Sequence, residues 1–242
     1  MRRAARLSLI VFLIGAGIGT PPGTLLSQEA LPSQGAPAGA EGPSGDPAPL
    51  IASLQKKMER LTSLRGRFVQ RLESRGLGRA RIESGRFAIR KPGSMRWEYE
   101  KPEKKLAITD GRTTWLHLPE DNEVHVGRYP QDGGAAASSL LAGRLRLDED
   151  FAARRLTPEE SGPMGAAGVV AIHLTPRAAR EEFDALVMAV DPKSLTVRRL
   201  TVVDAIGGRM TFEFFDLEEN AVLDDALFAF EMPRGVEVVD TR

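Results

Sequence analysis

From Gly85 to Val126 the chain alternates apolar and polar residues in short runs broken by Pro, Gly and Asp-Gly, which reads as four consecutive antiparallel strands. Successive side chains of a strand point to opposite faces. Phe87, Ile89 and Lys91 therefore share one face, and Arg86, Ala88 and Arg90 the other. Beyond the Pro92-Gly93 turn, Met95, Trp97 and Tyr99 stand against Arg96, Glu98 and Glu100, and Leu106 and Ile108 continue the apolar set. The charged set requires water, so the apolar set is expected to face inward. A curved sheet with such an inner surface needs a covering layer or encloses a cavity.

The rest of the chain supplies both cover and further strands. Leu50, Ile51, Leu54, Met58 and Leu61 recur at three- and four-residue spacings, which predicts an amphipathic helix over Leu50 to Leu61. Leu64, Gly66, Phe68, Gln70 and Leu72 then change to a period of two, with a turn expected at Gly76 and Gly78. Leu140 and Leu141 suit a short helix or loop. Strands are expected at Phe151 to Leu156, Gly168 to Leu174, Phe183 to Val190, Leu195 to Asp204 and Arg209 to Leu217, with turns at Asp191 to Ser194 and Ile206 to Gly208. About ten strands with one clear helix and one weak one exclude a parallel α/β sheet. Pattern alone favours an ordinary hydrophobic core, closed by the first helix, over an open cavity.

The first residues stand apart. Arg2, Arg3 and Arg6 precede an apolar run from Leu7 to Ile18, shorter than the roughly 20 residues a spanning helix needs. Residues 1–19 are therefore expected to be an export signal, with cleavage between 19 and 30. Residues 20–49 are rich in Pro, Gly, Ala and Ser and read as a disordered linker, leaving 50–242 as the folded domain. The chain contains no Cys, so it has neither a disulfide nor a lipid-attachment cysteine. Basic and acidic residues number 33 each and interleave, which argues against nucleic acid as a partner. His117, His125 and His173 lack metal-ligand spacing, Gly76-Leu77-Gly78 continues with Arg where a dinucleotide fingerprint needs Gly, and no nucleophile elbow is present. No cofactor is expected.

Lys91-Pro92, Met95-Arg96-Trp97, Thr109-Asp110-Gly111 and Trp115 occur in an order that resembles the periplasmic outer-membrane lipoprotein carrier proteins, the LolA-like family. The C-terminal AVLDDALFAFEMPRGVEVVD carries the family's acidic turn, Phe-x-Phe, Pro and Gly-Val, so the resemblance covers Leu50 to Asp240. It implies a mainly β fold, an incomplete antiparallel β-barrel of 10–11 strands whose helices form a lid over an apolar cavity. It also implies a monomeric, non-enzymatic periplasmic chaperone. Such a protein takes lipoprotein acyl chains from an inner-membrane lipoprotein-release ABC transporter and yields them to an outer-membrane acceptor, where one exists. By the same resemblance the cavity wall comprises Phe68, Phe87, Ile89, Met95 and Trp97, together with Tyr99, Leu106, Ile108 and Leu116. Lys91 takes the place of an Arg that in the family commonly bonds carbonyls of the lid helices. A lone ammonium lacks the planar fork of a guanidinium. The alternatives are a lipid- or lipoprotein-sensing module of the same fold, a carrier of another lipid and, least of all, a lipid or peptide hydrolase.

Overall fold

The computed structural model describes residues 45–74, 80–129, 136–165, 168–180 and 182–242. The expected leader, nearly all of the linker and the Gly76/Gly78 turn lie outside the described residues. Helix α1 (Ala48–Arg60) leads into β1 (Ser63–Glu73), β2 (Arg81–Arg90), β3 (Ser94–Lys101), β4 (Lys105–Asp110), β5 (Thr113–Leu118) and β6 (Glu123–Arg128). Helix α2 (Ala136–Leu141), β7 (Phe151–Arg155) and the short α3 (Pro158–Ser161) follow. Strands β8 (Val170–Pro176), β9 (Ala185–Asp191), β10 (Thr196–Val203) and β11 (Arg209–Glu219) come next, then a 3-10 turn at Asp225–Phe228 and β12 (Glu237–Asp240).

All twelve strands join one sheet in the order β12-β6-β5-β4-β3-β2-β1-β11-β10-β9-β8-β7. Pairing is antiparallel throughout, except that β12 lies parallel to β6. The two halves meet where β1 pairs with β11, which places Phe68 opposite Phe214 and Gln70 opposite Phe212. Strands β12 and β7 remain unjoined, so the sheet is an open, curled one, an incomplete barrel. One continuous core fills its concave side, from Leu116 and Trp97 on the N-terminal half to Leu200, Met188 and Ile172 on the C-terminal half.

Residues directly opposite in an antiparallel ladder share a face. Phe87 pairs with Trp97 and Ile89 with Met95, as the alternation predicts. Gly85 faces Tyr99, and a Cβ on Gly85 would lie 1.9 Å from the Glu98 carbonyl oxygen. Only glycine permits that approach of the β3 backbone.

The register corrects one expectation. Trp97 pairs with Ala107 and Tyr99 with Lys105, while Leu106 faces Glu98 and Ile108 faces Arg96. Leu106 and Ile108 thus lie on the convex face and do not belong to the inner wall. The turn from Pro102 to Lys104 keeps odd-numbered positions concave, which alternation within a single strand does not reveal. The convex face is also not bare at this place. The 3-10 turn at Asp225–Phe228 packs on β3 and β4, and Phe230 stacks on Trp115 with ring centroids 5.8 Å apart. The C-terminal segment gives Ile108 its cover, leaving it 2 % exposed. The rule that apolar means inward fails where a sheet is covered on both faces.

The lid is built from α1 and α2. Ile51, Leu54 and Met58 turn the apolar stripe of α1 into the concave core, and every side chain of α2 is buried, Ser138 and Ser139 included. Gln55 ties α1 to the segment that follows α2, its Oε1 accepting from the Leu147 amide at 2.9 Å. Lys57 anchors α1 to the sheet by donating to the Ser194 carbonyl and to Glu219. A smaller apolar cluster of Met164, Ala171, Val187 and Ala189 seals the convex face beside α3.

Candidate functional site

An aromatic wall occupies the middle of the concave face. Phe68 meets Trp97 edge to face at 5.0 Å and 71°, and Tyr99 at 5.0 Å and 80°. Phe87 stacks on Trp97 at 5.0 Å. Phe212 and Phe214 of β11 extend the wall, parallel to each other at 6.0 Å, with Phe212 at 5.8 Å from Trp97. Ile89, Met95 and Leu116 complete it on the β2 to β5 side. Of the nine residues expected here, Phe68, Phe87, Ile89, Met95, Trp97, Tyr99 and Leu116 come together in one cluster; Leu106 and Ile108 do not. Trp115, close to Trp97 in sequence, points to the opposite face.

Phe212, Phe214 and Met188 were not anticipated as part of this surface. The alternation of Phe212 and Phe214 in β11 is legible whereas β9 is apolar throughout, and only the long-range pairing of β1 with β11 sets Phe212 and Phe214 beside Phe68. Leu140 on α2 closes over the same core from the other side.

The rim carries the charged contacts. Lys91 follows β2 and its ammonium donates to the carbonyl of Met58, in the last turn of α1. Orphan carbonyls at a helix C-terminus favour such a cation. Gly143, just after α2, has φ +68°, and a Cβ there would lie 2.7 Å from Lys91 Nζ. The ammonium therefore sits where the ends of both lid helices converge. Burial lowers its pKa, with the Glu59 carboxylate acting the opposite way. Arg144 adds a second tie, donating to the Pro92 carbonyl at 3.2 Å while its guanidinium lies 4.4 Å from the centre of the Tyr129 ring. Between α1 and β10 a cleft of about 30 Å³ remains, lined by Leu54, Met58, Leu64, Leu141 and Val197. That space suits a water molecule or two and is far too small for an acyl chain.

Polar groups gather at one end of the wall. The Tyr99 hydroxyl donates to Gln70 Oε1 at 2.9 Å, and buried Glu83 accepts from Lys105 at 2.6 Å and pairs with Arg81 at 2.8 Å. Burial pushes the Tyr99 phenol well above its ordinary pKa, reinforced by the Glu83 charge. Burial also lowers the Lys105 pKa, with its bond to Glu83 opposing.

Nothing in this arrangement pairs a nucleophile with a base. Among the described residues no cluster of His, Cys, Asp and Glu is able to hold a metal. His117 and His125 lie on opposite faces, the first near the Phe230 ring and the second 3.1 Å from Glu123. What the concave face offers is apolar area under a closed lid, and buried hydrocarbon gains about 0.8 kcal/mol for each methylene.

The model of the family described as outer membrane lipoprotein carrier protein LolA matches residues 59–231. An outer-membrane lipoprotein carrier protein of Dechloromonas aromatica is 30% identical over 78% of this chain and 86% of its own length. Another, from Methylibium petroleiphilum, is 31% identical over 79% of this chain and 90% of its own length. Among solved structures, a LolA superfamily protein from Nitrosomonas europaea is similar over 74% of this chain and 97% of its own, with 9% identity and a TM-score of 0.41. The matched span runs from the end of α1 to Glu231 and takes in the whole aromatic wall, and on that ground the chain belongs to the LolA family of outer membrane lipoprotein carrier proteins.

Proposed function

We propose that this protein works in the periplasm, where it takes the acyl chains of lipoproteins against its concave aromatic face and carries them from the inner to the outer membrane. It makes no covalent change to the cargo. The observation that carries the reading is the pair of lid helices closed over Phe68, Phe87, Trp97 and Phe212, with the Lys91 ammonium on the Met58 carbonyl at the rim. Several acyl chains of a dozen or more methylenes would hold a lipoprotein in a membrane, at about 0.8 kcal/mol per buried CH₂. Only an enclosure of comparable apolarity accepts them in water. The enclosure in its closed form is filled by its own side chains, so uptake requires α1 and α2 to move off the wall.

Lys91 serves in this reading as the latch, a lone ammonium where relatives of the family type commonly place Arg. Release then depends on a near balance between cargo binding and lid opening, because a ligand shifts a two-state equilibrium only by its differential affinity. The donor is an inner-membrane lipoprotein-release transporter, and the recipient is an acceptor at the outer membrane. Incubating the purified protein with spheroplasts tests the reading. Lipoprotein should leave the membrane in complex with the protein, and protein that stays empty in that assay contradicts it.

A further inference from the structure

Inside the concave core, two nitrogen donors have no hydrogen-bond partner: Nε2 of Gln70 and Nε1 of Trp97. Their residues are 1 % and 3 % exposed. Buried donors are almost always satisfied, and one left unpaired bears its full desolvation cost. Neighbouring contacts fix the orientation of both side chains. The Tyr99 hydroxyl holds Gln70 Oε1 at 2.9 Å, which turns the amide nitrogen away from it. The Trp97 indole is fixed between the stacked ring of Phe87 and the edge contact with Phe68. Phe68 touches both Trp97 and Tyr99 at 5.0 Å, so Trp97 and the Tyr99–Gln70 pair border the same ring of the wall. Glu83 stands opposite Gln70 in register without bonding it; its Oε1 is engaged by Lys105 and Arg81, and its Oε2 has no partner either.

A pure hydrocarbon chain would leave both donors unsatisfied. A ligand whose hydrocarbon carries a carbonyl oxygen would satisfy them, because an ester or amide oxygen accepts hydrogen bonds while remaining uncharged. We infer that Gln70 and Trp97 form a carbonyl-recognition site within the acyl-binding wall, one that takes the carbonyl of a fatty-acyl ester or amide and sets how far the chain enters. The inference rests on the carrier reading and adds to it a polar selectivity. Tyr99 is a positioning residue in this site, acting through the Gln70 amide. An alkyl chain joined through an ether oxygen, the weaker acceptor, would be held less well by the same donors.

The test uses the whole protein with two matched probes, methyl palmitate labelled with ¹³C at the carbonyl and methyl hexadecyl ether. Infrared difference spectra of the bound ester should show a carbonyl band at lower frequency than in hexadecane, the mark of an accepted hydrogen bond. Gln70→Leu should return the band towards the hexadecane position and weaken ester binding about tenfold relative to the ether. A hexadecane-like band in the unaltered protein overturns the site, as does an ester-to-ether ratio that Gln70→Leu leaves unchanged. Donors satisfied only by water would give that second result. Should Gln70→Leu fail to fold, the band in the unaltered protein still decides. Binding of neither probe overturns the carrier reading together with the site, whereas equal binding of both with a free carbonyl overturns the site alone.

Discussion

At the scale of single residues, neighbours on one strand have opposite environments and therefore opposite predicted roles. Trp97 is buried among aromatic rings, while Glu98 faces out beside Arg86 and Arg96. Trp97→Asp should abolish capture of lipoprotein from spheroplasts, and Glu98→Lys should change it less than twofold. Equal losses would mean that the concave face is not where cargo binds. Lys91→Leu removes the ammonium from the Met58 carbonyl, a part-exposed contact worth about 1 kcal/mol, or roughly a fivefold change in the closed-to-open ratio. Binding of an apolar fluorescent dye should rise accordingly and Lys91→Arg should restore the closed level. Unchanged dye binding in the Leu variant would remove Lys91 from the latch. Tyr99 makes a pH prediction. Its phenol stays protonated in the fold well above the ordinary value, whereas in the unfolded chain it ionises near pH 10. The contribution is fully present below that pH and is lost as pH rises towards the folded value, because the unfolded chain then binds fewer protons. Urea midpoints measured from about pH 9 to 11 should fall more steeply in the unaltered protein than in Tyr99→Phe. Parallel slopes would contradict the burial of the phenol.

At the scale of elements, alternation and helical spacing foretold α1 and the antiparallel strand character of Gly85 to Val126, as four strands where the structure has five, because these depend on residues close in sequence. Phe87, Met95 and Trp97 could be placed on one face for that reason. Leu106 and Ile108 could not, since their face depends on the parity of the turn from Pro102 to Lys104 and on a C-terminal cover more than a hundred residues away. Phe212 and Phe214 were hidden in the same way, behind the pairing of β1 with β11. The convex packing now carries its own prediction. Ile108→Ala leaves a cavity under the Asp225–Phe228 turn and should destabilise the fold by about 3 kcal/mol, read from urea unfolding. Capture of lipoprotein per folded molecule should be unchanged. Loss of capture with intact stability would return Ile108 to the inner wall.

At the scale of the molecule, one sheet carries two different surfaces. The convex face carries only short local covers, the 3-10 turn Gly162–Gly165 after α3 on β8 and β9 and the C-terminal segment over β3 to β5, and leaves residues such as Arg86 exposed. The concave face is closed by two helices held at their C-terminal ends by few polar contacts, chief among them Lys91 and Arg144. The carrier reading requires that cover to lift while the twelve-stranded ladder stays paired. The amino-acid pattern made such a face visible but not its function, because an ordinary core and a binding wall share the same alternation. The proposed function takes the face as a binding wall, a reading supported by the family match and the rim contacts. The most direct test of the central claim is site-specific photo-crosslinking with a benzophenone side chain placed at Phe87 on the concave face or at Arg86 on the convex one. An acylated lipoprotein should crosslink from position 87 and not from 86, and a lipoprotein lacking its acyl chains should crosslink from neither. Equal yields from the two positions, or equal yields with and without acyl chains, would contradict the account.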